Sequence, residues 1–187
     1  MPILGIVASQ VPGRLPVGAF ESIATTTVGS GGISTVTFSS IPSTYKHLQI
    51  RYIARSGRSR VATGGLTIRF NGSYSTYGHE IQGDGSAASA SGGVPSIGSL
   101  HVCATGVDAA SATFGAGYID ILDYANTNKV KTIRALSAAD TNGAGQVKYL
   151  STFINSTSAI SSITFETVDG GTNIQQYSSF ALYGIKG

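Results

Sequence analysis

The sequence predicts an all-β, antiparallel two-sheet sandwich, and three observations carry that expectation. Apolar and polar residues alternate with a period of two over many short runs. Turn residues separate those runs, and the chain holds 25 glycines in 187 residues. Charged helix formers are scarce, with Asp, Glu, Lys and Arg at 11% of the chain, and each glycine inside a helix would cost about 1 kcal/mol relative to alanine. The length suits one β-domain with its own core. The expected organisation is an N-terminal arm over 1–15 and a single sandwich over 16–187.

The opening segment is punctuated by Pro2, Pro12, Gly13 and Pro16, and proline cannot donate to a β-ladder. Between them Ile3, Leu4, Ile6 and Val7 form an apolar patch, suited to lying across its own domain or a neighbour. Alternation then begins at Phe20–Thr26, followed by the turn Gly29-Ser-Gly-Gly and the run from Thr35 to Phe38. Residues 46–55 give the clearest strand: Leu48, Ile50, Tyr52 and Ala54 on one face, Gln49, Arg51 and Arg55 on the other. Leu66, Ile68 and Phe70 alternate with Thr67 and Arg69 and run into Asn71-Gly72, a hairpin signal.

Residues 82–98 are rich in Gly, Ala and Ser and read as a long loop, mobile or held by a partner. Further strands are expected at 99–105, 113–122, 129–137, 146–154, 160–168 and 176–185, giving about ten in all. Ten short strands without an internal repeat favour a jelly roll, with an immunoglobulin-like sandwich as second choice. The Cys…Trp…Cys signature of immunoglobulin domains is absent, since the chain has one Cys and no Trp.

Composition also bounds function. The formal net charge of +3 is small, so nucleic acid is not an expected partner. No stretch approaches the roughly 20 apolar residues of a membrane helix, and the N-terminus lacks a basic secretory leader; a chain made in the cytoplasm, with no membrane partner, is expected. Uncharged polar residues supply the surface, as in proteins that pack against their own copies. The lone Cys103 reads as a small buried thiol.

No catalytic or metal constellation assembles. His47, His79 and His101 have no ligand spacing. Asp120 and Asp123 have opposite strand parity, so they cannot face one another as a glycosidase pair. Asp120 is expected opposite a cross-strand base such as Arg134, and Asp123 at the start of a turn. The Asp-Gly segments at 140–143 and 169–171 lack the repeated acids of a calcium loop. No cofactor and no enzymatic activity are expected.

Two features stand out instead. From Lys46 to Arg69 the chain carries six basic residues and no acid. Arg51, Arg55, Arg58, Arg60 and Arg69 could form one positive patch that pairs with carboxylates of a partner protein, or a solvated surface whose ion pairs are worth under about 1 kcal/mol each. Tyr45, Tyr52, Tyr74 and Tyr77 lie near polar loops, where exposed rings could stack on sugars or anchor an interface; the parity of Tyr52 points it inward.

Several stretches carry a resemblance. They are Ser39-Ser-Ile-Pro-Ser-Thr-Tyr-Lys-His-Leu-Gln-Ile-Arg51, Gly117-Tyr-Ile-Asp-Ile-Leu-Asp-Tyr124, Lys129-Val-Lys-Thr132, and the closing Tyr177-Ser-Ser-Phe-Ala-Leu-Tyr-Gly-Ile-Lys-Gly187. From about residue 17 onward the chain resembles small β-sandwich virion proteins of tailed bacteriophages, especially those of cyanobacteria. The resemblance implies a capsid decoration, or cement, protein on the outer surface of the head. Its implied partners are itself, as a homotrimer, and the major capsid protein, gripped by the arm and the arginines. The alternative is a tail or fibre component that recognises a host-surface glycan. The resemblance supplies no catalytic residue.

Overall fold

The computed structural model describes residues 18–59, 63–73, 76–83, 88–94, 100–141 and 145–187. The expected arm, with Ile3, Leu4, Ile6 and Val7, lies outside the described residues, as do Arg60 and Tyr74. The chain forms β1 (Phe20–Thr27), β2 (Thr35–Phe38), β3 (His47–Ala54), β4 (Thr63–Phe70), β5 (Thr76–Gly83) and β6 (Ala88–Val94). It continues with β7 (Leu100–Thr105), β8 (Gly115–Leu122), β9 (Lys131–Asp140), β10 (Gly145–Ile154), β11 (Ile163–Thr167) and β12 (Ser179–Ile185). No helix occurs among the described residues.

Two antiparallel sheets result, as the alternation predicted. The large one has eight strands in the order β1-β12-β3-β8-β9-β10-β5-β6, and the small one four, β2-β11-β4-β7. Their apolar faces meet. Leu48, Ile50 and Tyr52 of β3, Ile119 and Ile121 of β8 and Phe180 of β12 are buried against Leu66 and Ile68 of β4, Val102 of β7 and Phe165 of β11. The pairs β5·β6, β4·β7, β3·β8, β2·β11 and β1·β12 nest inside one another, and the β9·β10 hairpin is inserted in the returning half.

Three local expectations are corrected. The segment 82–98 is not one loop: β5 runs through Gly83, and Ala88–Val94 forms an edge strand paired to it. Its sequence, Ala88-Ser-Ala-Ser-Gly-Gly-Val94, holds one residue larger than serine, too little apolar volume to signal a strand. Asn71-Gly72 does form a tight turn, with φ of 50° and 77°, closed by reciprocal Phe70–Ser73 backbone bonds of 2.9 Å. The chain then crosses to the other sheet instead of continuing a hairpin. In β1 the alternation breaks at Ile23, the extra residue of a bulge between Ser22 and Ala24.

The middle of the core is aromatic. Phe165 packs 4.9 Å from Phe180, and the Tyr52 ring stacks on Phe180 at 6.0 Å. Gly117 makes room for Tyr52, since a Cβ there would stand 2.8 Å from its ring. Truncating Phe165 removes the ring that joins the two sheets. Phe165→Ala is expected to lower unfolding free energy by about 3–5 kcal/mol, read as a shifted urea midpoint with an unchanged slope.

Candidate interaction surface

Among the described residues, strand parity leaves one face of the large sheet without a covering layer, and that face is unusually apolar. One row across it runs Ile53, Ala116, Ala138 and Val147; the next runs Arg51, Tyr118, Leu136, Tyr149 and Ile81. Ile81 is 55% exposed, Val147 52% and Ile53 47%. A one-sided antiparallel sheet ordinarily turns polar residues outward, and contiguous exposed apolar surface marks a binding face. A shallow depression of about 630 Å³ lies in it, bordered by Gln49, Arg51, Tyr118 and Leu136.

A polar row flanks the apolar ones: Tyr183, Gln49, Asp120, Arg134, Ser151 and His79. Asp120 and Arg134 stand opposite one another as expected, while the Asp120 carboxylate accepts from Gln49 Nε2 at 2.8 Å. Gln49 Oε1 in turn accepts from Arg51 Nε at 2.8 Å. The Arg51 guanidinium sits 5.6 Å from the Tyr183 ring centre and 5.9 Å from that of Phe20, a cation–π arrangement. Both charge signs therefore border the apolar rows.

The described arginines are spread over the molecule. Arg51 belongs to the large sheet and Arg69 to the small one. Arg55 donates to the carbonyls of Val107, Ala109, Ala110 and Thr113 at 2.6–3.2 Å, tying down the segment between β7 and β8. Arg69 forms a forked pair with the buried Glu166. Two of the arginines thus have structural work inside the chain. Arg58 borders a separate cleft.

The tyrosines and histidines also divide. Tyr52 is buried, and its hydroxyl donates to Cys103 O at 2.8 Å. Tyr45 donates to Glu21 at 3.1 Å and lies over Gly184, and Tyr77 stacks on Phe153 at 5.7 Å. Bonds from Lys186 and then Tyr45 hold the Glu21 carboxyl below its usual range. His47 Nδ1 accepts from Asp123 N at 2.9 Å. Asp123 opens its turn at φ 50°, and Lys129 chiefly, with Lys46, keeps its carboxyl low. Cys103 is a buried free thiol whose pKa is raised by burial, which keeps it protonated and unreactive. Among the described residues no group of three or more His, Cys, Asp and Glu could hold a metal ion.

The apolar face had a signal in the sequence. In 146–154 Val147, Tyr149 and Phe153 share one parity while Leu150 and Ile154 share the other. A strand apolar on both faces must be covered on both, yet it shows no alternation to announce which face is free.

No protein-family model, curated protein or solved structure matches the chain.

His101 is half-buried, and burial chiefly, with Lys148 and Arg58, lowers its pKa against the raising effect of Glu80. Because the folded pKa lies below the unfolded value of ~6.5, the unfolded chain takes up the proton first. Stability from this group is complete above ~6.5 and is lost as pH falls through the folded pKa. The thermal midpoint should therefore drop less in His101→Gln than in the unaltered chain between pH ~7.5 and ~5.5, followed by circular dichroism.

Proposed function

We propose that this chain is a structural subunit of a tailed-phage particle, a decoration protein that associates with its own copies and clamps the head shell. The observation that carries the reading is the apolar outer face of the large sheet. Leu136, Tyr149 and Ile81 form its centre, and no element among the described residues covers them. A second copy suits this face because acid and base border it together: Asp120 on one strand, Arg134 and Arg51 beside it. Around a three-fold axis the base on one copy's face can then meet the acid on the next, whereas a partner of single charge would leave one sign opposed. The low charge elsewhere favours the same occupant, and closed symmetric assembly is the usual outcome.

The resemblance to phage virion proteins supplies the particle and the trimer. The strand order supports a jelly roll over an immunoglobulin-like sandwich. Five nested pairs, from β5·β6 outward to β1·β12, are what a long antiparallel ribbon gives when it is wound across two sheets. That arrangement is frequent in capsid and lectin domains. In this reading the opening segment, with Ile3, Leu4, Ile6 and Val7, contacts the major capsid protein.

Two measurements test it. Sedimentation of the full chain should give a trimer, and the pair Leu136→Glu with Tyr149→Glu should give a monomer with an unchanged circular-dichroism spectrum. A monomeric parent, or a variant that still assembles, overturns the role of the face. Labelled protein should decorate the heads of particles, and deletion of residues 2–15 should abolish that attachment while the domain stays folded. Label on the tail would instead support the receptor-binding alternative.

A further inference from the structure

We infer that the seam between the small sheet's β7 edge and β10 of the large sheet is a binding site for one acidic sugar unit, a hexuronate carrying a single carboxylate. The site is a cleft of about 210 Å³ whose lining includes Arg58, Gly65, His101, Gln146, Lys148 and Val168. It lies on the other side of the large sheet from the apolar rows, because Gln146 and Lys148 have the opposite parity to Val147 and Tyr149. The inference therefore goes beyond the assembly reading and does not rest on it.

Charge selects the ligand. Arg58 and Lys148 each bring one positive charge, Glu80 lies 3.5 Å from Lys148 Nζ, and His101 is neutral at pH 7 because its pKa is lowered. Among the described residues the balance is one uncompensated positive charge, which suits a monoanion and leaves a phosphate dianion in excess. Lys148 and Glu80 side chains are only 14% and 17% exposed, so a carboxylate entering beside them meets a partly desolvated cation, where charge-assisted bonds gain strength.

The remaining groups suit hydroxyls. Gln146 Nε2 donates to Gln82 Oε1 at 3.2 Å, and its own oxygen faces the Cys103 thiol at 3.6 Å. Those amides, with Glu80, offer donors and acceptors at fixed spacing, as recognition of a polyol needs. Val168 gives an apolar wall for the ring's C–H face. Gly65 keeps the floor flush: a Cβ there would come within 2.7 Å of Val168 Cγ2. The volume equals about seven waters at ~30 Å³ each, room for one pyranose and not for a chain held end to end.

Calorimetric titration of the full chain with sodium glucuronate, glucose and sodium acetate tests the site. Glucuronate should bind in the millimolar range, with glucose and acetate each at least about tenfold weaker, ~1.4 kcal/mol. Arg58→Gln should weaken glucuronate by about tenfold at an unchanged thermal midpoint, and Arg51→Gln, on the other face, should leave it unaltered. The His101 imidazole should titrate at higher pH when glucuronate is bound, seen by NMR. No heat with glucuronate up to the order of 100 mM overturns the inference. So does equal affinity for glucose, which removes the role of the charge, or equal affinity for acetate, which removes the sugar. The monomeric Leu136→Glu, Tyr149→Glu chain should bind as the parent does, which separates this site from the assembly face.

Discussion

The free edge of β7 is the constraint on which the rest of the architecture depends. Among the described strands β7 pairs with β4 alone, so its other edge would present unsatisfied backbone groups, a template for wrong pairing. The large sheet closes it. Cys103 N–H donates to Ser137 Oγ at 3.0 Å and Cys103 C=O accepts from the Tyr52 hydroxyl at 2.8 Å. Two residues on, Thr105 O accepts from Ser56 N at 2.7 Å and Arg55 bridges to Thr105. Residues just past β3 thus become a partial fifth strand for the small sheet. Tyr52 serves twice, because its ring is in the aromatic core and its hydroxyl reaches the edge. The open space at Gly117 is what lets that ring lie across.

Closure at β7 brings β9 and β10 over its flank, and there the two sheets differ in width. At ~4.8 Å between strands, eight strands span about 34 Å and four span about 14 Å. The small sheet cannot cover the whole inner face of the large one. Where cover ends, the inward parity of β10 and β5 changes from Leu150 and Ile154 to Gln146, Lys148, Glu80 and Gln82. The charged pair there is tolerated because the seam is only half enclosed; deeper burial would exact a desolvation cost that one ion pair rarely offsets.

Strands were legible where a single apolar face had to be hidden. Leu48, Ile50, Tyr52 and Ala54 spell the inward face of β3, and the structure buries all four. The facing of Asp120 and Arg134 across β8 and β9 was legible for the same reason, since both lie on outward parity. β5 and β6 were not legible: Gly78 approaches the β10 backbone so closely that a Cβ would meet Ser151 O at 2.3 Å, and β6 is built of small residues. β5 is specified by its close approach to β10. The cleft was hidden for a further reason. Its side chains come from the chain after β3, from β7, from β10 and from the chain after β11, and no local spacing encodes a seam closed by tertiary pairing. The arginines show the reverse case, in which nearness along the chain suggested one patch. Parity and sheet crossing sent Arg51, Arg55 and Arg69 to three different tasks.

The low charge of the chain acquires a physical reason from this arrangement. A sheet whose inner face is core and whose outer face is also apolar has few positions left where a charge costs nothing. Several charges at the surface are accordingly tied to neighbours: Lys186 with Glu21, and Lys129 and Lys46 with Asp123. Exposed pairs of this kind add little to stability. Their effect is to neutralise the flanks, so that the apolar rows meet no strong field from their own molecule. A face made quiet in this way is set apart by shape and apolar area, and Arg51, held between the Phe20 and Tyr183 rings, marks where it meets the polar border.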